Sequence, residues 1–245
     1  MEHSSEFVND FPDPWRDDLG DLLAVGGDLS SQRLIAAYSR GIFPWYGPGG
    51  PILWWSPDPR LILEPDNVHV PRRLARVIRQ GRFSVSVNTA FVQVIQGCAR
   101  TRRRGGGGTW ITPEMEAAYI QLHELGLAHS VEVWSAGALG GGIYGVALGR
   151  AFFGESMFTT ITNGSKVALI HLTRLLAENG FGLFDCQQTT AHMLRFNAFE
   201  VSRREFLQRL HRALAAGQPD SFMWAPRMLG EPGQRHGLRS DQAQM

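Results

Sequence analysis

Residues 182–187 read Gly-Leu-Phe-Asp-Cys-Gln, setting a carboxylate, a thiol and an amide side by side at the end of an apolar run. A second carboxylate, Glu155, stands in the stretch Gly154-Glu155-Ser156-Met157-Phe158, just after Phe153. An acid in such company sits at the exposed end of a strand or is buried with a partner. If the two runs are neighbouring strands, Glu155 and Asp185 lie near one another in a pocket walled by Phe and Met. Such a pair suits two tasks, holding a cationic group or taking a proton from one. Gln187 donates and accepts hydrogen bonds at once, so it can orient a substrate amide or amine, or simply meet water. At alternate strand positions, Asp185 and Gln187 are expected to face the pocket together.

Cys186 is the conspicuous member of the trio, with His123, His129, His171 or His192 on hand as a base. Thiolate chemistry needs a cation beside the sulfur to lower its pKa, whereas the negative charge of Asp185 raises it. Cys186 is therefore expected to be a small buried hydrophobe.

A different chemistry is written in the arginines. Five fall between Arg72 and Arg82 with no acid among them, and Arg100, Arg102, Arg103 and Arg104 add four more before the run Gly105 to Gly108. On a helix Arg72, Arg76 and Arg79 share one face while Leu74, Val77 and Ile78 turn to the core. Such a stripe is either a solvated face or a seat for polyanion phosphates. Asn163-Gly164-Ser165-Lys166 opens a long helix, but the chain lacks the GxxxxGK[ST] phosphate loop, and it holds neither GxGxxG nor HExxH.

The elements that must position these groups follow from periodicity and punctuation. The N-terminal part reads as loops around one helix, capped by Ser30 and stopped at Gly41. The segment GIFPWYGPGGPILWWSPDPR, residues 41–60, is too rich in Pro and Gly for long regular structure. Its rings either pack a junction or line a pocket. Beyond Val68 helices alternate with strands. Helices are expected over Arg72 to Gln80, from an Asn88 cap to Ala99, from Thr112-Pro113-Glu114 to near Gly126, from Asn163 or Ser165 to Glu178, over Thr189 to Phe196, and over Arg203 to Ala215. Strands are expected over Phe83 to Val87, Ala128 to Trp134, Leu139 to Leu148, Ala151 to Phe153 and Leu183 to Asp185. The simplest assembly is a mixed α/β or α+β domain around a mainly antiparallel meander.

Composition sets the outer limits. At 245 residues with 43% hydrophobic and 19% charged residues, the chain can bury a sizeable core and is not disordered except at its ends. A net charge of +1 excludes a uniformly basic nucleic-acid coat, though not a local one. No apolar run reaches the roughly 18 residues of a membrane span, and Met1 to Asp10 lacks the layout of a signal peptide, so a cytoplasmic protein is expected. Its two cysteines, Cys98 and Cys186, have no zinc-site or disulfide spacing.

Seven short blocks, in order along the chain, carry a resemblance. They are Asp21 to Ser30 (DLLAVGGDLS), Gly41 to Tyr46 (GIFPWY), Pro51 to Arg60 (PILWWSPDPR), Gly108 to Thr112 (GTWIT), His123 to Gly126 (HELG), Gly154 to Phe158 (GESMF) and Asp185 to Gln187 (DCQ). Together they resemble the bacterial leucyl/phenylalanyl-tRNA-protein transferases, from about residue 11 to Arg227. The resemblance implies an α+β chain: a small N-terminal domain over 1–63, a catalytic domain like the GCN5-related N-acetyltransferases over 64–229 with a mixed, mainly antiparallel sheet flanked by helices, and a mobile polar tail over 230–245. It implies transfer of leucine or phenylalanine, and less well methionine, from Leu-tRNA or Phe-tRNA to the α-amino group of proteins beginning with Arg or Lys, which marks them for degradation by the N-end rule. No cofactor, no metal and no membrane are implied, and a monomer is expected.

The same resemblance assigns a proton relay to Asp185 and Gln187, with Glu155 beside them. It sets Trp45 and Trp110 around the terminal adenosine, lines the aminoacyl pocket with Ile143, Phe153, Met157, Leu172 and Phe184, and gives tRNA binding to Arg72, Arg76 and Arg79. At position 143 an Ile stands where the family commonly has Met, and Leu172 stands where a ring can occur, so the preference among Leu, Phe and Met is left open. An acetyl-CoA-dependent acetyltransferase of the same fold is the alternative, but it needs a pyrophosphate loop that residues 163–168 do not supply. A binding module without catalysis explains the arginines and leaves Glu155, Asp185 and Gln187 without a task.

Overall fold

The computed structural model describes residues 11–101 and 110–229. Arg102, Arg103, Arg104, the Gly105 to Gly108 run and the expected tail from residue 230 lie outside the described residues. An eight-stranded sheet forms the centre, built from β4 (Arg60–Leu63), β5 (Ser84–Val87), β6 (Ala128–Ser135), β7 (Ala138–Leu148), β8 (Ala151–Thr159), β9 (Leu183–Gln187), β10 (Phe199–Val201) and β11 (Arg227–Leu229). Its order is β10-β4-β9-β8-β7-β6-β5-β11. Every pairing is antiparallel except β8 with β9, which run parallel.

Alternation along the strands feeds two cores, one on each face. On one face Phe153, Tyr144 and Val146 pack with α1 (Ser31–Ser39), α3 (Phe91–Arg100), α4 (Pro113–Glu124) and α7 (Arg203–Ala215). On the other Phe152, Phe184, Ile143, Val131 and Val133 pack with α2 (Arg72–Arg79), α5 (Gly164–Glu178) and α6 (Ala191–Leu194). Helix α5 comes so close to β7 that a Cβ on Gly164 would stand 2.8 Å from the Gly140 carbonyl, which is why glycine opens it. No helix of the described residues is long and apolar enough to cross a membrane.

Several elements match their sequence expectation, among them α4, capped by Thr112 with Pro113 at its first position, and α7. Others need correction. Asn88 does not cap α3; its φ is +53° and its side chain donates to the Trp224 carbonyl and accepts from the Ser130 amide, so the helix begins at Phe91 without a side-chain cap. The helix expected over Thr189 to Phe196 shrinks to Ala191–Leu194, ended by Asn197 in the left-handed region. Strand β8 is longer than expected and runs on through Glu155 to Thr159.

The N-terminal part carries its own sheet, β1 (Leu22–Val25), β3 (Leu53–Trp55) and β2 (Phe43–Pro44), paired in that order. Arg203 of α7 fastens this region to the rest: its guanidinium donates to the carbonyls of Leu19, Gly20 and Ser56 at 2.8–3.0 Å. The expected boundary at residue 63 does not follow the sheets, because β4, assigned with the small domain, lies inside the large sheet between β10 and β9.

Candidate active site

Strands β8 and β9 pair only as far as Phe153 and Asp185. Beyond that point β8 continues with β7 and β9 with β4, no longer with each other, and a cavity of about 320 Å³ opens where they part. Ligand sites in open sheets form beyond the carboxyl ends of parallel strands for this reason: the loops and side chains diverge there. Trp45, Trp110, Ile143, Glu155, Met157, Phe184 and Gln187, all singled out in the sequence, line it. Phe43, Pro44, Gly154, Ser156, Cys186, Gln188, Thr190, His192 and Met193 join them. A Cβ on Gly154 would meet the Phe184 ring at 2.6 Å, so only glycine lets that ring lie across β8 as a wall.

Two expected walls are elsewhere. Phe153 points to the opposite face, its ring 5.0 Å from that of Tyr38, and Leu172 is buried in the core beneath α5. Asp185 is also absent from the lining. Each is explained by the strand geometry. Phe153 alternates with Phe152 and so faces away. At β9 the register passes from Ile62↔Asp185 to Leu61↔Gln187, a bulge at Cys186, with Gln187 at φ +63°. The extra residue breaks the period of two that had placed Asp185 and Gln187 together.

Asp185, fully buried, accepts two hydrogen bonds from Arg60, Nε to Oδ1 at 2.8 Å and Nη2 to Oδ2 at 2.6 Å. Arg60, equally buried, lies between the rings of Phe43 and Phe206, 4.8 and 4.4 Å from their centroids. The Gln187 backbone N–H donates to Asp185 Oδ1 at 2.8 Å, so the carboxylate holds Gln187 in its left-handed turn. The Gln187 side chain in turn donates from Nε2 to Glu155 Oε1 at 2.8 Å, bridging the two separated strands.

Glu155 occupies a bulge in β8, where the register shifts between Tyr144↔Ser156 and Gly145↔Gly154. Tyr38 donates to its Oε1 at 2.7 Å, Tyr119 donates to its Oε2 at 3.0 Å, and the two tyrosine oxygens are 2.5 Å apart. Three oxygen-to-oxygen links thus close a ring. With both hydroxyl protons given to the carboxylate the link between the tyrosines has none, whereas a proton on Glu155 Oε2 reverses the bond to Tyr119 and frees the Tyr119 proton for Tyr38. Burial raises the Glu155 pKa to about 7, against the lowering effect of the bonds from Tyr38 and Tyr119. Both tyrosines are pushed well above their ordinary value by burial and by Glu155, and remain neutral donors. Tyr38→Phe removes one bond to the carboxylate, so the Glu155 pKa should rise by about 1 unit, read as an upward shift in the midpoint of the pH–activity profile.

The thiol behaves as expected chemically but not in position. Burial and then the Asp185 charge push Cys186 well above its ordinary pKa, and Arg60 only partly opposes them. It is no nucleophile at neutral pH, and it packs partly buried against the core while also bordering the cavity. His192 stays neutral at pH 7, its pKa lowered by burial and by Lys166 and Arg195. The residues that reasoning from sequence missed, Arg60, Tyr38 and Tyr119, carry no local signal, since their partners lie 125, 117 and 36 positions away.

Arg72, Arg76 and Arg79 are exposed along α2, while Leu74 and Ile78 anchor the helix in the core layer that also holds Phe184 and Ile143. Among the described residues none of the three forms an ion pair.

Comparison with known proteins gives two family matches. Residues 62–211 match the leucyl/phenylalanyl-tRNA protein transferase model, and residues 27–58 match the model of that family's N-terminal domain. The leucyl/phenylalanyl-tRNA–protein transferase of Nitratidesulfovibrio vulgaris (strain DP4) is 59% identical over 203 residues, 83% of this chain and 87% of that one. The protein of the same name from Azoarcus sp. (strain BH72) is 58% identical over 198 residues, 81% of this chain and 84% of its own length. Among solved structures, L-PGS from Bacillus licheniformis aligns with a TM-score of 0.36 at 12% identity, over 66% of this chain and 52% of that chain, too loose a likeness to carry an argument. Matches of such extent on both parts of the sequence establish that the chain belongs to the leucyl/phenylalanyl-tRNA protein transferase family.

Proposed function

We propose that the chain, an aminoacyltransferase by its family, moves leucine or phenylalanine, and less well methionine, from aminoacyl-tRNA to the α-amino group of proteins that begin with Arg or Lys, marking them for degradation by the N-end rule. The observation that carries this reading is the cavity, which joins an apolar slot of Ile143, Met157 and Phe184 to the hydrogen-bonded pair Gln187 and Glu155. In this reading leucine and phenylalanine side chains enter that apolar slot. Trp45 and Trp110 offer stacking faces to the terminal adenosine, a contact that any base satisfies. The fold of the catalytic part is that of the GCN5-related N-acetyltransferases in this reading, supported by the parallel pair β8 and β9 parting over the cavity.

An aminoacyl ester is already activated, so the site must present a neutral amine in line with the carbonyl. The α-amino group has a pKa near 8 and is mostly protonated at neutral pH. With Nε2 given to Glu155, Gln187 keeps Oε1 to accept from the amine. Glu155, at about 7, takes the proton that the amine loses. The neutral nitrogen then bonds to the carbonyl carbon and gives up a second proton as the bond from that carbon to the ribose oxygen breaks; of the two protons that leave nitrogen, one ends on the departing oxygen and the other passes to water. Asp185 takes part by holding Gln187, since it touches Arg60 and the Gln187 backbone and not the cavity.

The exposed arginines of α2 face the tRNA phosphates in this reading. Arg76→Ala should weaken tRNA binding and flatten the slope of log K against log salt by about 1, measured by titration at several ionic strengths. The reading as a whole is tested by incubating the protein with tRNA carrying labelled leucine and a peptide that begins with Arg. Label should appear in the peptide; binding of the tRNA without any transfer overturns the proposal in favour of a binding module.

A further inference from the structure

The cavity described above holds one carboxylate, and it is occupied with Tyr38, Tyr119 and Gln187. A second carboxylate, outside its lining, stands two strands from Gln187. Glu200 of β10 pairs with Leu61 of β4, and Leu61 pairs in turn with Gln187 of β9. The three residues therefore form one row across three adjacent strands, which sets the Cα atoms of Gln187 and Glu200 about 10 Å apart. Glu200 is exposed, and among the described residues it forms no ion pair. Its recorded hydrogen bond comes from the Thr189 hydroxyl, next to Thr190, which lines the cavity. Arg209, which lies over the neighbouring Phe199, is already engaged by Glu64 and Glu205.

We infer that Glu200 is the specificity-determining carboxylate for the acceptor, binding the cationic side chain of its first residue while the α-amine sits at Gln187 and Glu155. The inference rests on the transfer reaction proposed above. From α-nitrogen to side-chain head, an extended Lys or Arg spans about 7 Å by standard bond lengths, and the reach of the Gln187 and Glu200 side chains covers the rest of the row. The Thr189 bond fixes one carboxylate oxygen and leaves the other for the incoming cation. Arginine meets it with a charge-assisted hydrogen bond, lysine with a point charge, and a neutral side chain with neither.

The test uses the full-length chain, tRNA carrying labelled leucine, and peptides of one sequence that begin with Arg, with citrulline as its neutral isostere, or with Glu. The unaltered protein should show a KM for the Arg peptide at least tenfold below that for the citrulline peptide. Glu200→Gln should raise the KM of the Arg peptide tenfold or more with kcat within about twofold, and leave the citrulline KM unchanged, the pattern of a lost binding contact. Glu200→Lys should go further, turning the preference between Arg and Glu peptides towards Glu. A ratio of Arg to citrulline KM that stays the same in both variants overturns the inference while leaving the transfer reaction intact. Failure of the unaltered protein to label any peptide overturns the reaction itself and the inference with it. Because Glu200 is exposed, both variants should melt with the unaltered protein; a loss of the KM pattern accompanied by unfolding in both variants counts against a recognition role.

Discussion

Arg60→Met should lower the free energy of unfolding by about 3–5 kcal/mol, because it leaves the Asp185 carboxylate in the core without its cation. The side chains of Arg60 and Asp185 are 1% and 0% exposed, and no water reaches either to replace the lost partner. Against a total stability of about 5–15 kcal/mol for a typical domain, that is a loss of about a fifth or more. Asp185→Leu should cost a similar amount from the other side, stranding the guanidinium between Phe43 and Phe206. The double substitution should cost much less than the sum, since it removes both buried charges at once. Urea titrations of the four proteins check this, with the midpoint of the double variant lying above that of either single one. Additive losses contradict the assignment of the pair as a buried unit. Asp185→Ala is thus expected to act on the fold as well as on transfer, so activity lost in that variant says nothing about proton transfer unless unfolding is measured beside it.

Glu155→Gln should reduce kcat by about 10²–10⁴, the usual contribution of a positioned proton acceptor, and remove the ascending limb of the pH profile near 7. What remains should follow the amine of the acceptor alone, with a midpoint near 8. Stability should move the opposite way. Glu155 has a folded-state pKa of about 7 against an ordinary value of 4.5, so between these pH values the folded protein holds a proton that the unfolded chain has lost. Its contribution to stability therefore falls as pH rises from about 4.5 to about 7, by on the order of 3 kcal/mol, and stays low above that. Glu155→Gln removes this slope and should make the protein more stable at pH 8 than the unaltered one, as measured by thermal melting across the pH range. A carboxylate held half-charged at neutral pH is a strain that the fold tolerates at this position.

The sequence disclosed the elements with long, regular patterns and not the ones that depend on distant pairing. Strands β6 and β7 and helices α4 and α7 are long enough for periodicity and caps to locate them. Strands β4 and β10 are 4 and 3 residues long and acquire a direction only by pairing with β9 and with each other. Arg60, following Pro57-Asp58-Pro59, looks like the end of a loop, and nothing local announces an ion pair with a residue 125 positions on. The candidate site was legible in residue type, since Glu155 and Gln187 meet in a cavity with Phe184 and Met157. It was not legible in orientation. Alternation placed Asp185 beside Gln187, and the bulge at Cys186 with the left-handed φ of Gln187 sent them to different tasks. The tyrosines that set the charge of Glu155 come from two helices on the far face of the sheet, a contact that no spacing rule reaches.

The cavity has walls on two sheets. Phe43, Pro44 and Trp45 come from the small one, and Arg203 holds that sheet down by three carbonyls. A ligand that touches both walls binds the seated arrangement better than any other, and reciprocity then requires that the ligand tighten the seating by the same factor. Residues 19, 20 and 56, remote from the cavity, are thereby part of its affinity for any ligand that spans both walls, and a loosened clasp at Arg203 and a weaker grip on that ligand are two readings of one equilibrium.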